Sequence, residues 1–502
     1  MRRGVAVATA ALALLGGYGA ADVLDVVPGI LTLEAEPAAY PVPLATATAT
    51  RSLPMPSAAP SGMPLAPAGT QAPLPSTAGI TAALAGPLAD PDLKGAAVVV
   101  RDALTGTDLY AVDPGRTRIP ASTLKLVSAL AIQRAFPAGS TLSTAVLQGA
   151  APDRLVLVAG GDMLLSPDRG DPGAIAGRAG LADLADAVAA ALRTTGTTAV
   201  TLAVDAGYAP GTAMATGWSP DFRPAGIVGP VAMLGLASHW PQLGKPAAPD
   251  PVAETAAALA ARLTERGIAT TLASPLILAT PPSAAGPAPA ASGSNAGTTP
   301  GGATAGTTAG TSPGTRLGEV RSAPVTDLVG LALERSDNTL IESLARQAAY
   351  RSGRPSDFEG TAAYLRETLG QAGIDVAGVS LHDASGLSRS NALPARVLAD
   401  VLTLGAKGTD PGFTQALTRL PVAALTGTLG GRFTDPPHRA GAGIVRAKTG
   451  SLTGVNALAG TVVTADGRLL VFVVLQQGPV GTAEARGALD GVGAVLATCG
   501  CR

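Results

Sequence analysis

Lysine is scarce in this chain. Of 35 basic residues among 502, thirty are Arg and only five are Lys, at positions 94, 125, 245, 407 and 448. Arg keeps its charge at any working pH, whereas a desolvated Lys gives up its proton, so each of the five is a candidate for chemistry. Charge as a whole is thin: charged residues are 14% of the chain, with 35 basic against 36 acidic. That balance excludes a basic surface for nucleic acid and a long acidic tail. Two Cys, at 499 and 501, are too few and too close together for a disulfide framework; they read as terminal thiols, or as a local or intermolecular bridge. No C-x-x-C or H-E-x-x-H spacing marks a metal site, and no cofactor is implied. The three His, at 239, 382 and 438, are scattered, and there is no G-x-S-x-G elbow. Nothing in this pattern points to a Ser-His-Asp hydrolase.

What is present is apolar sequence (47%) together with 63 Gly and 42 Pro. The length predicts two or more domains. Arg2 and Arg3 precede an apolar run from Val5 to Leu15, then small residues to Ala21. This is the form of an export signal, and residues 1–24 fit either a cleaved signal peptide or an uncleaved N-terminal anchor. Residues 25–79 read as a Pro/Ala-rich tether, with Arg51 the only charge between Pro37 and Gly79. A second tract, 281–315, holds only Pro, Ser, Ala, Gly, Asn and Thr. With no large apolar side chain to bury, it predicts a disordered loop inside a domain.

Folded sequence is predicted from about Ile80. Strands are expected at 96–100 and 109–112, then a helix after Pro120 with Leu124, Val127, Leu130 and Ile132 on its apolar face. Further strands at 155–159 and 199–204 enclose a helix at 181–192, and helices follow at 251–266, 325–334, 339–351 and 356–372. The end reads as a meander, 444–449, 455–463 and 469–475, with an Asp466-Gly467 turn and a last helix at 482–497. Strands at both ends around a helical middle predict an α+β domain whose sheet joins the two ends of the chain.

Three short patterns bear on chemistry. In Ser122-Thr123-Leu124-Lys125 a spacing of three stacks both side chains on one helix face, where a neutral amine could take the hydroxyl proton. A helix cap with a solvated Lys is the commoner meaning of that pattern. Ser336-Asp337-Asn338 lies between two predicted helices, as a proton relay with an amide holder or as ordinary capping residues. Lys448-Thr449-Gly450-Ser451 opens the meander. A cation beside a hydroxyl suits a carboxylate, and Gly admits a ligand backbone for strand addition; a strand end with a Gly bulge is the plain alternative.

Taken in order, S-x-x-K, S-D-N and K-T-G resemble the signature of the penicillin-recognising serine acyl enzymes. The long stretch between Ser122 and Ser336 looks like that of the class C low-molecular-mass penicillin-binding proteins, the D-alanyl-D-alanine carboxypeptidase/endopeptidase family. Asp383-Ala384-Ser385-Gly386-Leu387-Ser388-Arg389 is similar to its D-x-S-G-L-S-R segment, and Gly160-Gly161-Asp162 to its G-G-D turn. The resemblance implies a β-lactamase/transpeptidase-like sheet flanked by helices, with a helical subdomain. It implies a catalytic domain of residues 80–165 and 317–502 and an inserted accessory region at 166–316. It implies Ser122 as nucleophile, Lys125 as base, Ser336 bonded to Lys125 and Lys448 as relay, and Asn338 on the substrate amide. Lys448 and Thr449 would take the terminal carboxylate beside Gly450, and the N–H groups of Ser122 and Ser451 the oxyanion. Arg389, with Asp205 from the inserted region, would read the polar end of a diaminopimelate side chain. Where related enzymes carry Met near this pocket, this chain has Leu452. Partners implied are peptidoglycan stem peptides and β-lactams, with a membrane engaged only through the N-terminal segment and an extracytoplasmic setting. A β-lactamase or esterase of the same fold, or a non-catalytic wall scaffold, are the alternatives. The long insertion argues against the former, and the three intact motifs against the latter.

Overall fold

The structure, a computed structural model, describes residues 72–278 and 312–501. The export signal, residues 25–71 of the tether and residues 281–311 of the low-complexity tract lie outside the described residues. Among the described residues no helix is long and apolar enough to cross a membrane.

Two five-stranded sheets organise the chain. The first has the order β12-β13-β14-β1-β2, with β1 (Ala97–Asp102) and β2 (Asp108–Val112) from the start of the fold. The meander supplies β12 (Arg446–Leu452), β13 (Val455–Val463) and β14 (Leu469–Gln477). β1 pairs antiparallel with β14, Ala97 opposite Leu475, so the two ends of the chain do share one sheet. Both faces are covered. Ala97 and Val99 enter the core beneath the helical layer, whereas Val98 and Val100 enter the core on the opposite face. That is why β1 reads as a continuous apolar run instead of alternating. The opposite face is packed by α1 (Thr77–Leu88) and α10 (Thr482–Thr498). α1 begins inside the stretch read as tether, because the Ser76 side chain accepts from Gly79 N and caps it. Ser76 N also donates to Cys501 O at 2.6 Å, and Cys499 and Cys501 are bonded to each other.

The helical layer is centred on α2 (Lys125–Ala135), in which every residue from Lys125 to Gln133 is buried. Around it stand α5 (Val325–Arg335), α6 (Asn338–Arg351), α7 (Phe358–Gln371), α8 (Ala395–Ala406) and α9 (Pro411–Leu417). A two-stranded ribbon joins β3 (Thr117–Arg118) to β11 (Leu393–Pro394).

The second sheet has the order β10-β4-β5-β7-β9. Its strands are β4 (Thr141–Gln148), β5 (Arg154–Val158), β7 (Ala199–Asp205), β9 (Ala269–Ile277) and β10 (Arg316–Pro324). β5, β7 and β9 run parallel, connected through α3 (Leu181–Thr194) and α4 (Pro251–Glu265), whose apolar faces close a separate core. β6 (Asp162–Leu165) and β8 (Leu234–Leu236) form a short parallel pair. Because β10 returns to pair with β4, strands β4, β5 and β10 share the second sheet with the region that the sequence placed at 166–316. Strands β3, β4, β6, β8, β9, β10 and β11 and helices α1, α8 and α9 are additions to the sequence reading.

Candidate active site

Ser122 sits in a 3₁₀ turn, Ala121–Leu124, that leads into α2 at Lys125. Ala121 is held at φ 46°, a conformation costly for an L-residue and sustained by what presses on it. Two glycines do so. A Cβ on Gly386 would lie 1.9 Å from the Ala121 carbonyl oxygen, and one on Gly450 2.9 Å from that of Pro120. The glycines of the D-x-S-G and K-T-G segments are thus required by their close approach to the Ser122 turn.

Lys125 has no exposed surface. Its Nζ lies 3.0 Å from Ser122 Oγ, 2.6 Å from Asn338 Oδ1 and 2.7 Å from the Ser385 carbonyl oxygen. Burial brings its pKa down to about 8, opposed by the negative charges of Asp383, Glu342 and Asp337. A neutral amine has two N–H donors and one lone pair. Asn338 Oδ1 and Ser385 O accept only, so they take the two donors and leave the lone pair facing the Ser122 hydroxyl. Lys448, also without exposed surface, donates to Thr449 O at 3.0 Å. Burial, and then the charge of Lys125, hold it well below the usual Lys range.

The S-D-N segment divides its labour. Ser336 ends α5 in the left-handed conformation, φ 58°. The buried Asp337 accepts from Leu340 N at 2.8 Å and caps α6, and burial raises its pKa. Asn338 opens α6 and is fixed from both ends, Nδ2 donating to Ile227 O at 2.7 Å while Oδ1 takes Lys125. The expected bonds from Ser336 to Lys125 and Lys448 are absent among the described residues. For Lys125 the physical reason is that Asn338, Ser385 and Ser122 already occupy every polar position on its Nζ; Lys448 Nζ turns instead to Thr449 O.

The Asp383 loop is built on its own carboxylate. Asp383 Oδ1 accepts from Gly386 N and Asn391 Nδ2, and Oδ2 from Ser388 N and Trp218 Nε1, at 2.6–2.9 Å. Glu342 on α6 secures the loop from the other side, accepting from Ala384 N at 3.0 Å and Ser385 N at 2.7 Å. Burial, then the charge of Asp383, raise Glu342 to about 8. Sequence reasoning missed Glu342, although it lies four residues after Asn338 and so shares its helix face. Trp218, from the inserted region, carried no sequence signal.

Thr449, Gly450 and Ser451 follow Lys448 along β12, an edge strand. Thr449 Oγ1 meets Thr428 Oγ1 at 2.8 Å, another partner that sequence reasoning did not identify. Arg389 is exposed and donates to Thr453 O at 3.0 Å, just past that strand. Asp205 is not brought to this site. It is buried at the end of β7 with Oδ1 accepting from Gly207 N at 2.9 Å. Among the described residues no hydrogen bond or ion pair joins it to Arg389 or Ser122. Its carboxylate closes its own strand-end turn, which is the plainer use of an Asp there. Among the described residues no group of His, Cys, Asp and Glu could hold a metal ion.

The sequence profile of the D-Ala-D-Ala carboxypeptidase 3 (S13) family matches residues 80–242 and 290–499. Carboxypeptidase DacB of Mycolicibacterium smegmatis is 34% identical over 443 residues, 87% of each chain. A carboxypeptidase of Mycobacterium tuberculosis is 34% identical over 436 residues, 85% of each. The crystal structure of penicillin binding protein 4 (dacB) from Haemophilus influenzae shares the fold, with a TM-score of 0.62 at 20% identity over 84% of this chain and 98% of that one. The motifs, the α+β fold and these matches agree, and the chain belongs to the S13 family of D-Ala-D-Ala carboxypeptidases.

Proposed function

We propose that Ser122 carries the D-Ala-D-Ala carboxypeptidase reaction of this family as a covalent nucleophile, with neutral Lys125 as its base. One observation carries the reading: Nζ of the fully buried Lys125 lies 3.0 Å from Ser122 Oγ, and its two other neighbours, Asn338 Oδ1 and Ser385 O, accept only. Ser122 Oγ attacks the carbonyl carbon of the penultimate D-Ala, and its proton passes to Lys125 Nζ. The Ser122 and Ser451 N–H groups hold the oxyanion. Collapse breaks the C–N bond. The proton returns from Lys125 Nζ to the amine of the departing D-Ala, leaving an ester on Ser122; Ser336, which makes no bond to Lys125 among the described residues, is left out of this transfer. Water then adds to that ester and gives a proton to Lys125, which returns it to Ser122 Oγ as the C–O bond breaks and the shortened peptide leaves. Lys448 and Thr449 hold the terminal carboxylate, Gly450 lets the substrate backbone lie against β12, and Asn338 orients its amide. A penicillin would acylate the same Ser122.

The substrate is the peptidoglycan stem peptide, so the chain works outside the cytoplasm, delivered by its N-terminal segment. Arg389, exposed at the open end of the strand, suits the polar end of a diaminopimelate side chain. Asp205, engaged in its own turn, is left out of that pocket. Cleavage of cross-links would use the same acyl-enzyme. The test is release of D-Ala from a peptide ending in D-Ala-D-Ala. The unsubstituted chain is expected to release it, and Ser122→Ala to be slower by roughly 10⁴-fold or more. Release at an undiminished rate in that variant would overturn the proposal.

A further inference from the structure

The free edge of β12 is not open along its whole length. Residues 421–423 run beside its start, Ala447 N donating to Pro421 O at 3.0 Å and Ala423 N to Val445 O at 2.9 Å. The chain then turns away through Ala424, φ 62°, and comes back as the 3₁₀ turn Gly427–Leu429. This return is firmly built. Val422 N donates to Thr426 Oγ1 at 3.0 Å, and Ala424 N to Leu429 O at 3.0 Å. Leu429 has no exposed surface. Gly427 approaches the end of α5 so closely that a Cβ there would lie 2.4 Å from Glu334 O, two residues before Ser336. The turn is therefore wedged between the K-T-G strand and the helix that ends at the S-D-N segment. It delivers Thr428 Oγ1 to 2.8 Å from Thr449 Oγ1, where the covered edge gives way to the open one.

We propose that Thr428 is a specificity-determining residue, which with Thr449 forms a two-hydroxyl site for the terminal carboxylate of the substrate. The proposal rests on the carboxypeptidase reading above and adds a residue to it. When two hydroxyls share one hydrogen bond, one proton lies between them and the other is free, whichever of the two donates. The pair thus presents one O–H outward in either arrangement, and the second hydroxyl keeps that proton from turning away. A carboxylate only accepts, so it gains a charge-assisted hydrogen bond from this O–H. A substrate without the carboxylate gains less from the same pair.

The test compares two activated substrates with one acyl group, an N-acyl-D-alanyl thioglycolate and its methyl ester, which differ only in the carboxylate. The readout is the ratio of their kcat/KM values, which does not depend on how much of a variant is folded. Thr428→Val is expected to lower the preference for the carboxylate about tenfold, and Thr428→Ser to restore it to within about threefold. A ratio that stays the same in Thr428→Val, including an equal fall on both substrates, overturns the proposal, since a turn that merely supported the strand would depress both alike. Failure of the underlying reading looks different. The unsubstituted chain would then turn over neither thioester in a Ser122-dependent way, and this proposal would fall with it.

Discussion

Lys125 decides the chemistry of the site through its surroundings. The negative charges of Asp383, Glu342 and Asp337 favour its ammonium form, yet burial outweighs them and leaves a pKa of about 8. If the neutral amine is the base, the acylation rate constant should rise about tenfold per pH unit below about 8 and level off above it. Stopped-flow acylation by a fluorescent penicillin measures this, and a flat profile through that range would contradict the assignment. The contacts within this cluster differ in how readable they were. Ser122 and Lys125 meet because they are three residues apart at the start of one helix, a local fact that sequence carries. Asn338 displaces Ser336 from Lys125 because Ile227, from a distant loop, takes the other end of its amide. No local pattern encodes that contact.

Helix α6 ties the two halves of the fold together. Nearly all of it is buried although it is rich in polar residues, because those residues bond the irregular backbone of the inserted region. Thr339 Oγ1 accepts from Gly229 N at 2.7 Å, Ser343 Oγ donates to Ala232 O at 3.0 Å, Arg346 to Thr212 O at 2.6 Å and Gln347 to Gly161 O at 3.1 Å. Trp218 extends the same attachment to the Asp383 loop at 2.9 Å. Trp218→Phe keeps a ring against Phe358 but withdraws one donor from a fully buried carboxylate. It is expected to cost about 2 kcal/mol and to slow acylation several-fold, read from urea unfolding and penicillin labelling. A variant as stable and as fast as the parent would show that the loop does not depend on this bond. α6 was legible as a helix from its periodicity. Its partners were not, since they are backbone groups of loops. β4 and β10 escaped notice for a related reason: their apolar residues are interrupted by polar or charged ones, and they become strands only by pairing across the whole inserted region.

Among the described residues, one sheet joins the first strands of the fold to the last, and a second sheet is inserted between the first two motifs. The closure was legible because β1 and β14 are rich in β-branched residues and buried on both faces. The geometry of the insertion was not. β9 and β10 occupy opposite edges of the second sheet, yet the register Ile277–Val204–Leu157–Val146–Gly318 brings their ends to one level. Four strand spacings, ~19 Å, separate them. About ten extended residues, ~33 Å, would bridge that distance, far fewer than the tract between them. Replacing residues 282–310 with a Gly/Ser linker of that length should leave the unfolding midpoint and the acylation rate as they are. Loss of acylation would show that the tract contributes to the site.

The central claim is that this constellation makes Ser122 a nucleophile. Intact-mass spectrometry of the chain after exposure to benzylpenicillin, followed by peptide mapping, tests it most directly. The account predicts one penicilloyl group per chain, on Ser122, and none in Ser122→Ala. No adduct on the unsubstituted chain, or one that persists in Ser122→Ala, would contradict it.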